Sequence, residues 1–378
     1  MRALFLKGAE IGRVTMIHCI SIDWLALFCS AVDGQFCQVS RGDVGAVCST
    51  DYEYKIAPYG TRQFRHLAAV SYKGDLICEV QYEPCSSILR GDSVIVKFAN
   101  RLLYQPNLWL VVDNFLRDHS LAVRGISRVD VCADFNKFET YEPVQLVSDF
   151  LASKIRHKGK GIGAAYFNHF GKRVQGFSVA CLQYSGLTFG SRESDARAYL
   201  YNKSLELRTQ TDKPYIRNFW KSSGLNTVAD VWRLEISIKS GGVKFRDKRT
   251  GDVITYDAKM LHSTGNLCDL FYTYAKKLFS FVVNRPGITN ITREPLITLF
   301  AGTPKYEHGV ICKSSCSSRT ERILLKQLWQ MADNYRGRDL VEDEGVTKTL
   351  AMELAESTDL KTWLMNKASK WERPQVRK

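Results

Sequence analysis

The sequence lacks several patterns that would point to common classes of protein. It has 11 cysteines, an odd number, and no C-x-x-C pair, which disfavours both a disulfide framework and an ordinary zinc finger and favours the reducing cytoplasm. It has no run of about 18 uninterrupted apolar residues, so no membrane association is expected. The G-x-x-x-x-G-K-[ST] loop that cradles nucleotide phosphates is missing as well.

The composition is that of a globular protein with a strong positive charge. The chain has 378 residues, of which 45% are hydrophobic and only 9 are proline, so it can form two to three domains of about 150 residues around large cores. Lysine and arginine number 53 against 39 acidic residues, a formal net charge of +14. Such an excess favours a polyanionic partner, most often nucleic acid.

One stretch concentrates this positive charge. Residues 150–192 contain no aspartate or glutamate, and aromatic residues alternate there with lysines and arginines. Cations that follow a backbone beside stacking rings are typical of single-stranded nucleic acid binding. The alternative is that the rings belong to the core and the lysines to a solvated surface. The predicted DNA-binding residues here are Lys158, Lys160, Lys172, Arg173 and Arg192.

Hydrophobic periodicity predicts an α+β core followed by a helical region. Turn residues separate the predicted strands, and apolar residues at helical spacing predict helices. We expect a core of residues 1–310 and an all-helical C-terminal region, residues 311–378. The predicted strands are 17–28, 66–81, 94–98, 108–112, 127–135, 187–190, 197–203 and 231–239, and the core helices begin at Pro143 and span 212–222 and 267–284.

Three of these strands carry chemically useful side chains on one face. Period-two alternation places Asp130 and Asp134 together, Arg233 beside Glu235, and a row of Arg197, Tyr199, Tyr201 and Lys203 on one side of its strand. A strand that is apolar on one side only is typical of an antiparallel sheet. Each pattern alone also fits a cross-strand ion pair or a solvated edge. Their occurrence on successive strands favours a functional site.

The chemistry of these groups suits phosphoryl transfer. A tyrosine, with an ordinary pKa near ~10, attacks phosphorus only when its deprotonation is assisted and the phosphate is polarised. Neighbouring cations hold a phosphate, and carboxylates are the oxygen ligands that Mg²⁺ or Mn²⁺ prefers. Asp130, Glu206 and Glu235 are the candidate metal ligands from this pattern.

These motifs together resemble the replication initiation factor family, which includes rolling-circle plasmid initiators, filamentous-phage replication proteins and relaxases of conjugative elements. The resemblance covers roughly residues 17–240. It rests on the runs Leu187–Ser194, Arg197–Glu206 and Arg233–Glu235, preceded by Ile22–Leu25 and Arg128–Asp134.

The resemblance implies a metal-dependent, tyrosine-dependent DNA nickase on an antiparallel palm similar to that of relaxases, in the cytoplasm of a bacterial host. The Y-x-K-x-x-E motif of the family falls on Tyr201, Lys203 and Glu206. Tyr201 is the expected nucleophile and Tyr199 the alternative, with Arg197 and Lys203 as phosphate or leaving-group contacts. Asp130, Glu235 and Asp134 are carried over as metal ligands, and Arg233 is a further expected DNA contact.

The expected reaction is attack by Tyr201 on a phosphodiester of single-stranded or extruded origin DNA, leaving a 5′-phosphotyrosine. Three alternatives stay open: a non-catalytic origin-binding protein that recruits a host helicase, a conjugative relaxase of the same family, and a palm polymerase using Asp130 and Asp134. A tyrosine recombinase is disfavoured because no histidine begins an H-x-x-R element. A homodimer is a further expectation, since several mobile-element initiators act as dimers.

Overall fold

The structure is a computed structural model. It describes residues 18–32, 36, 46–48, 51–85, 89–158, 164–168, 173–174, 184–191, 193–209, 212–287, 290 and 293–309. Within these, residues 46–48, 164–168, 173–174 and 184–185 are described by their backbone alone. The chain divides into two compact units, Met1–Gly309 and Val310–Lys378. The expected helical C-terminal region lies outside the described residues.

A large antiparallel sheet dominates the described part of the first unit. It has 12 strands there, which are β1 (His18–Ala31), β2 (Ala46–Cys48), β3 (Tyr52–Ile56), β4 (Phe64–Tyr72), β5 (Asp75–Pro84), β6 (Ser93–Phe98), β7 (Leu121–Phe135), β9 (Ala164–Asn168), β10 (Arg173–Val174), β11 (Tyr184–Phe189), β12 (Ala196–Asn202) and β13 (Trp232–Lys239). Across the sheet their order is β10-β9-β11-β12-β13-β7-β1-β6-β5-β4-β3-β2. The α+β class with an antiparallel sheet, predicted from the strand patterns, is confirmed.

Helices and two smaller sheets complete the described part. The helices are α1 (Asn100–Leu103), α2 (Leu108–Asp118), α3 (Pro143–Leu151), α4 (Lys203–Thr209), α5 (Pro214–Ser222) and α6 (Thr264–Leu278). The smaller sheets contain β8 (Ile155–His157) with β16 (Phe281–Val283), and β14 (Lys244–Asp247) with β15 (Val253–Thr255) and β17 (His308–Gly309). No helix in the ranges given above is long and apolar enough to cross a membrane.

Two of the predicted strands differ from the structure. The run 108–112 is the start of α2, whose buried residues Leu108, Val112 and Phe115 recur at helical spacing; a short apolar run does not by itself distinguish strand from helix. The stretch 66–81 is a hairpin, not one strand, because the chain turns at Lys73 and Gly74, both at positive φ.

The two faces of the central strands differ in chemistry, and each is covered at least in part. On one face Leu200, Leu234 and Ala133 lie opposite one another across β12, β13 and β7 and are at most 1% exposed. Helix α6 packs against these strands. At one end of the polar face, α5 lies over the strands with Trp220 buried. Charged side chains there are therefore buried and must pair with one another.

Candidate active site

Cross-strand register brings Tyr201 and Glu235 together on the polar face. On β12, Tyr201 lies opposite Arg233 and Tyr199 opposite Glu235 of β13, so the Tyr201 phenol reaches Glu235 along the diagonal of the ladder. Its hydroxyl donates a hydrogen bond to Glu235 Oε2 at 2.8 Å. The sequence predicts both residues for the site, and the structure places them in contact.

Lys203 completes this group from the point where strand becomes helix. The backbone N–H of Lys203 donates to the Val231 carbonyl at 3.0 Å, and the Asn202 side chain accepts from the Leu205 N–H at 2.8 Å, which caps α4. The Lys203 side chain is 2% exposed. Its Nζ donates to the Tyr201 hydroxyl at 3.3 Å and lies 2.6 Å from Glu206 Oε2. The Y-x-K-x-x-E motif is thus one connected cluster.

The carboxylate and the phenol of this cluster have shifted pKa values. Burial, together with the negative charges of Asp23 and Asp130, raises the pKa of Glu235 to about 7. Burial and the Glu235 charge also raise the pKa of Tyr201 well above its usual value near 10. Tyr201 is therefore protonated at neutral pH, whereas Glu235, which accepts its hydrogen bond, changes between its neutral and charged forms near pH 7.

Next to Tyr201, Arg233 is the centre of a buried ion-pair network. Its side chain is 0% exposed and pairs with Asp134, also 0% exposed, through Nε at 2.6 Å and Nη2 at 2.7 Å. Nη1 donates to Asp23 Oδ1 at 2.6 Å and Nη2 also to the Tyr104 hydroxyl at 2.9 Å. Trp220 Nε1 donates to Asp134 Oδ2 at 2.7 Å. This placement contradicts the DNA contact expected of Arg233, because its donors are used inside the protein.

Asp23 belongs to this network but was not among the predicted site residues. Its Oδ1 accepts from Arg233, from the Tyr104 hydroxyl at 2.6 Å and from Asn100 Nδ2 at 3.2 Å. Burial alone would raise the pKa of Asp23, but Arg233 and Lys203 lower it below its usual range. Its signal in the sequence is an acidic residue in the middle of the most apolar window of the chain, where an unpaired charge would be costly.

The predicted metal ligands do not form one centre as the side chains stand. Arg128 binds Asp130 with both ends of its fork, at 2.9 and 2.5 Å, Arg233 and Trp220 occupy Asp134, and Lys203 pairs with Glu206. In the described part of the chain, no group of three or more histidine, cysteine, aspartate or glutamate side chains is arranged to hold a metal ion. As the side chains stand, the described donor set does not fit a carboxylate metal site, and Asp134 is instead the buried partner of Arg233 and Trp220.

The remaining predicted residues lie partly on the same polar face and partly elsewhere. Arg197 and Tyr199 are half-buried on β12, with the guanidinium carbon of Arg197 4.7 Å from the Tyr199 ring centroid. Lys158 is exposed at the end of β8. Arg173 lies in β10, where only the backbone is described, opposite Phe167 of β9. Lys160, Lys172 and Arg192 lie outside the described residues.

Comparison with known proteins gives structural similarities but no match of sequence. No family model matches the chain, and no curated protein matches its sequence. The fold is similar to the solved structure of a rolling circle replication initiator protein from Geobacillus stearothermophilus, with a TM-score of 0.41 and 14% sequence identity over 74% of this chain and 92% of that chain.

Proposed function

We propose that the protein nicks and rejoins DNA through a covalent link to Tyr201, as the initiator of a rolling-circle replication cycle. The single observation that carries this proposal is the Tyr201 hydroxyl held between Glu235 Oε2 at 2.8 Å and Lys203 Nζ at 3.3 Å. A phenol between a proton acceptor and a cation is an activated nucleophile. The net charge of +14 supports a nucleic acid as the substrate.

Glu235 serves as the general base in this mechanism. Its pKa of about 7 leaves a large fraction ionised at neutral pH, and it already accepts the phenolic hydrogen bond. Because the pKa of Tyr201 is far higher than that of Glu235, the proton moves only as the oxygen bonds to phosphorus in the transition state. Lys203 then stabilises the developing negative charge on the phenolic oxygen, from a buried position where charge interactions are strong.

The transfer conserves the energy of the phosphodiester. A bond forms between the Tyr201 oxygen and phosphorus, and the bond from phosphorus to the 3′ oxygen breaks. The phenolic proton passes to Glu235, and the leaving oxygen takes a proton from water to become a 3′-hydroxyl. The reverse reaction rejoins the strand, so no nucleotide cofactor is required. This agrees with the missing nucleotide-binding loop in the sequence.

The requirement for Mg²⁺ or Mn²⁺ stays a prediction, and no step above depends on it. Its test is adduct formation by protein stripped with EDTA, before and after each metal is added. Recruitment of a host helicase and a homodimer also stay predictions. A palm polymerase is disfavoured because Asp130 and Asp134, its candidate catalytic pair, are bound to Arg128 and Arg233.

The test is covalent capture of DNA. The protein is incubated with a labelled single-stranded oligonucleotide carrying the origin, with and without Mn²⁺, and separated under denaturing conditions. We expect an adduct with the wild type and with Tyr199→Phe, and none with Tyr201→Phe, which keeps the ring and should bind DNA with nearly wild-type affinity. An adduct with Tyr201→Phe but not with Tyr199→Phe would transfer the role to Tyr199. Binding without any adduct would favour a non-catalytic origin-binding protein.

A further inference from the structure

The polar face of the sheet continues beyond Tyr201 as a row of side chains that the reaction does not use. Arg197 lies opposite Ser237, Ser237 opposite Asp130, and Asp130 opposite Trp24, across β12, β13, β7 and β1. Three strand spacings separate the two ends of this row, about 14 Å at ~4.8 Å each. Trp24 and Arg197, at the two ends of the row, are half-buried, and Ser237 and Asp130 between them are 3% and 2% exposed. The row is therefore partly exposed at its ends, whereas Arg233 is fully buried.

At the far end of the row, the Trp24 ring is in contact with two cations. The guanidinium carbon of Arg128 lies 4.6 Å from the ring centroid and Lys97 Nζ lies 4.4 Å from it. The Arg128 and Lys97 side chains are 32% and 29% exposed. Cation–π contacts of this kind hold a flexible charged side chain in place while it stays accessible to an anion. Trp24 thus positions two cations at the surface.

At the near end, Arg197 and Thr188 have unsatisfied polar atoms. Arg197 packs on the Tyr199 ring, and its Nε is buried without a hydrogen-bond partner among the described residues. Thr188 lies opposite Tyr199 on β11 and is 7% exposed; its hydroxyl also has no partner there. Buried donors of this type are normally satisfied in the functional complex, here by an anion with acceptor oxygens.

We propose that a single strand of DNA crosses this part of the face, from Tyr201 past Arg197 and Tyr199 and over Arg128 to Trp24. Phosphates would meet Arg197, Arg128 and Lys97, and unpaired bases would stack on the Tyr199 ring and the planar guanidiniums. Rings interleaved with cations on a sheet suit a single strand, because every base has a stacking face. The proposal rests on the proposed function in taking Tyr201 as the reacting end. It adds Trp24, Lys97, Arg128 and Thr188 as DNA contacts.

The test measures binding without cleavage. Each variant is made in the Tyr201→Phe background, and the affinity for a fluorescein-labelled oligothymidylate of about 15 nucleotides is measured by anisotropy between about 50 and 200 mM salt. Lys97→Gln should weaken binding roughly 3- to 10-fold at low salt and reduce the slope of log affinity against log salt by about 0.7. Trp24→Leu should weaken binding roughly 5- to 30-fold, whereas Trp24→Phe should retain most of the affinity.

The Glu79→Gln variant distinguishes a DNA contact by Lys97 from a structural role of the Lys97–Glu79 pair. Glu79 Oε2 pairs with Lys97 Nζ at 2.7 Å, so removing its charge should free Lys97 and raise the affinity about 2- to 5-fold. A merely structural role for this pair would lower the affinity or leave it unchanged. Lys244→Gln, an exposed lysine on β14 in a different sheet, is the matched control and should bind like the parent.

Unchanged affinity in both Lys97→Gln and Glu79→Gln would overturn the proposal, as would a duplex of the same length that competes as well as the single strand. Lys97→Gln and Glu79→Gln carry the test if Trp24→Leu does not fold. The outcome is separable from that of the proposed function. Loss of binding in these variants, together with no adduct from the wild type, would leave the DNA path in place and remove the nicking reaction.

Discussion

The two ends of the polar face differ in how their charges are satisfied. At the closed end, under α5, Arg233 and Asp134 are both 0% exposed and neutralise each other. At the open end, Arg197 packs on a tyrosine ring with no ion pair in the described part of the chain. Tyr201 and Glu235 lie between the two. The same strands therefore bury an ion-pair network on one side of the nucleophile and hold partly exposed cations on the other, where Arg128 and Lys97 each also pair with a carboxylate.

The largest effect is expected on the rate of the reaction, when Glu235 between the two ends is changed. Glu235→Gln should reduce the rate of adduct formation by about 10²- to 10⁴-fold, because Tyr201 loses its proton acceptor. In the wild type the rate should rise with pH through about 7, the pKa of Glu235, and then level off. The measurement is single-turnover adduct formation between pH 5.5 and 9. A pH-independent wild-type rate would exclude Glu235 as the base.

The next largest effect is expected on the free energy of unfolding, when one charged residue is replaced at each end. Asp134→Asn removes the charge partner of a fully buried guanidinium, so the free energy of unfolding should fall by about 3–5 kcal/mol. Arg197→Gln at the open end should change it by no more than ~0.5 kcal/mol. Urea denaturation at pH 7 measures both. Equal losses would mean that the two ends do not differ in the way described.

Glu235 should also make stability depend on pH. Its pKa is raised from 4.5 to about 7 on folding, so the folded state binds the proton more tightly. Its favourable contribution is fully present below pH 4.5 and is lost as pH rises through about 7. The free energy of unfolding should therefore fall by on the order of 3 kcal/mol across this window relative to Glu235→Gln. Parallel pH profiles of the two proteins would contradict this.

The smallest effect is expected in the basic stretch of the sequence. Replacing Lys158, Lys160, Lys172 and Arg173 by glutamine should lower the slope of log affinity against log salt by up to about 0.7 for each phosphate that is no longer neutralised. It should leave the stability of the closed end unchanged. Binding of the labelled oligonucleotide over a range of salt concentrations measures the slope. A slope equal to that of the parent would remove this stretch from the DNA path.

Part of the site could be predicted from the sequence because it depends on local spacing. Alternation on a strand places Tyr199 and Tyr201 on one face. Lys203 was predicted on the same strand but is the first residue of α4, where it pairs with Glu206 at 2.6 Å. The strand predicted at 108–112 failed because a short apolar run fits α2 equally well. The pairing of Asp134 with Arg233 could not be predicted, because the two residues are 99 positions apart in the chain.

The sequence by itself determined the antiparallel α+β core, the polar face and the cluster around Tyr201, because these follow from alternation and from residues close together in the chain. Only the tertiary structure decided which of the charged residues are available. Helix α5 and Asp23 close one end of the face, and the contact of Arg128 and Lys97 with Trp24 organises the other. Burial and long-range pairing set the charge and accessibility of a side chain, and neither can be read from periodicity alone.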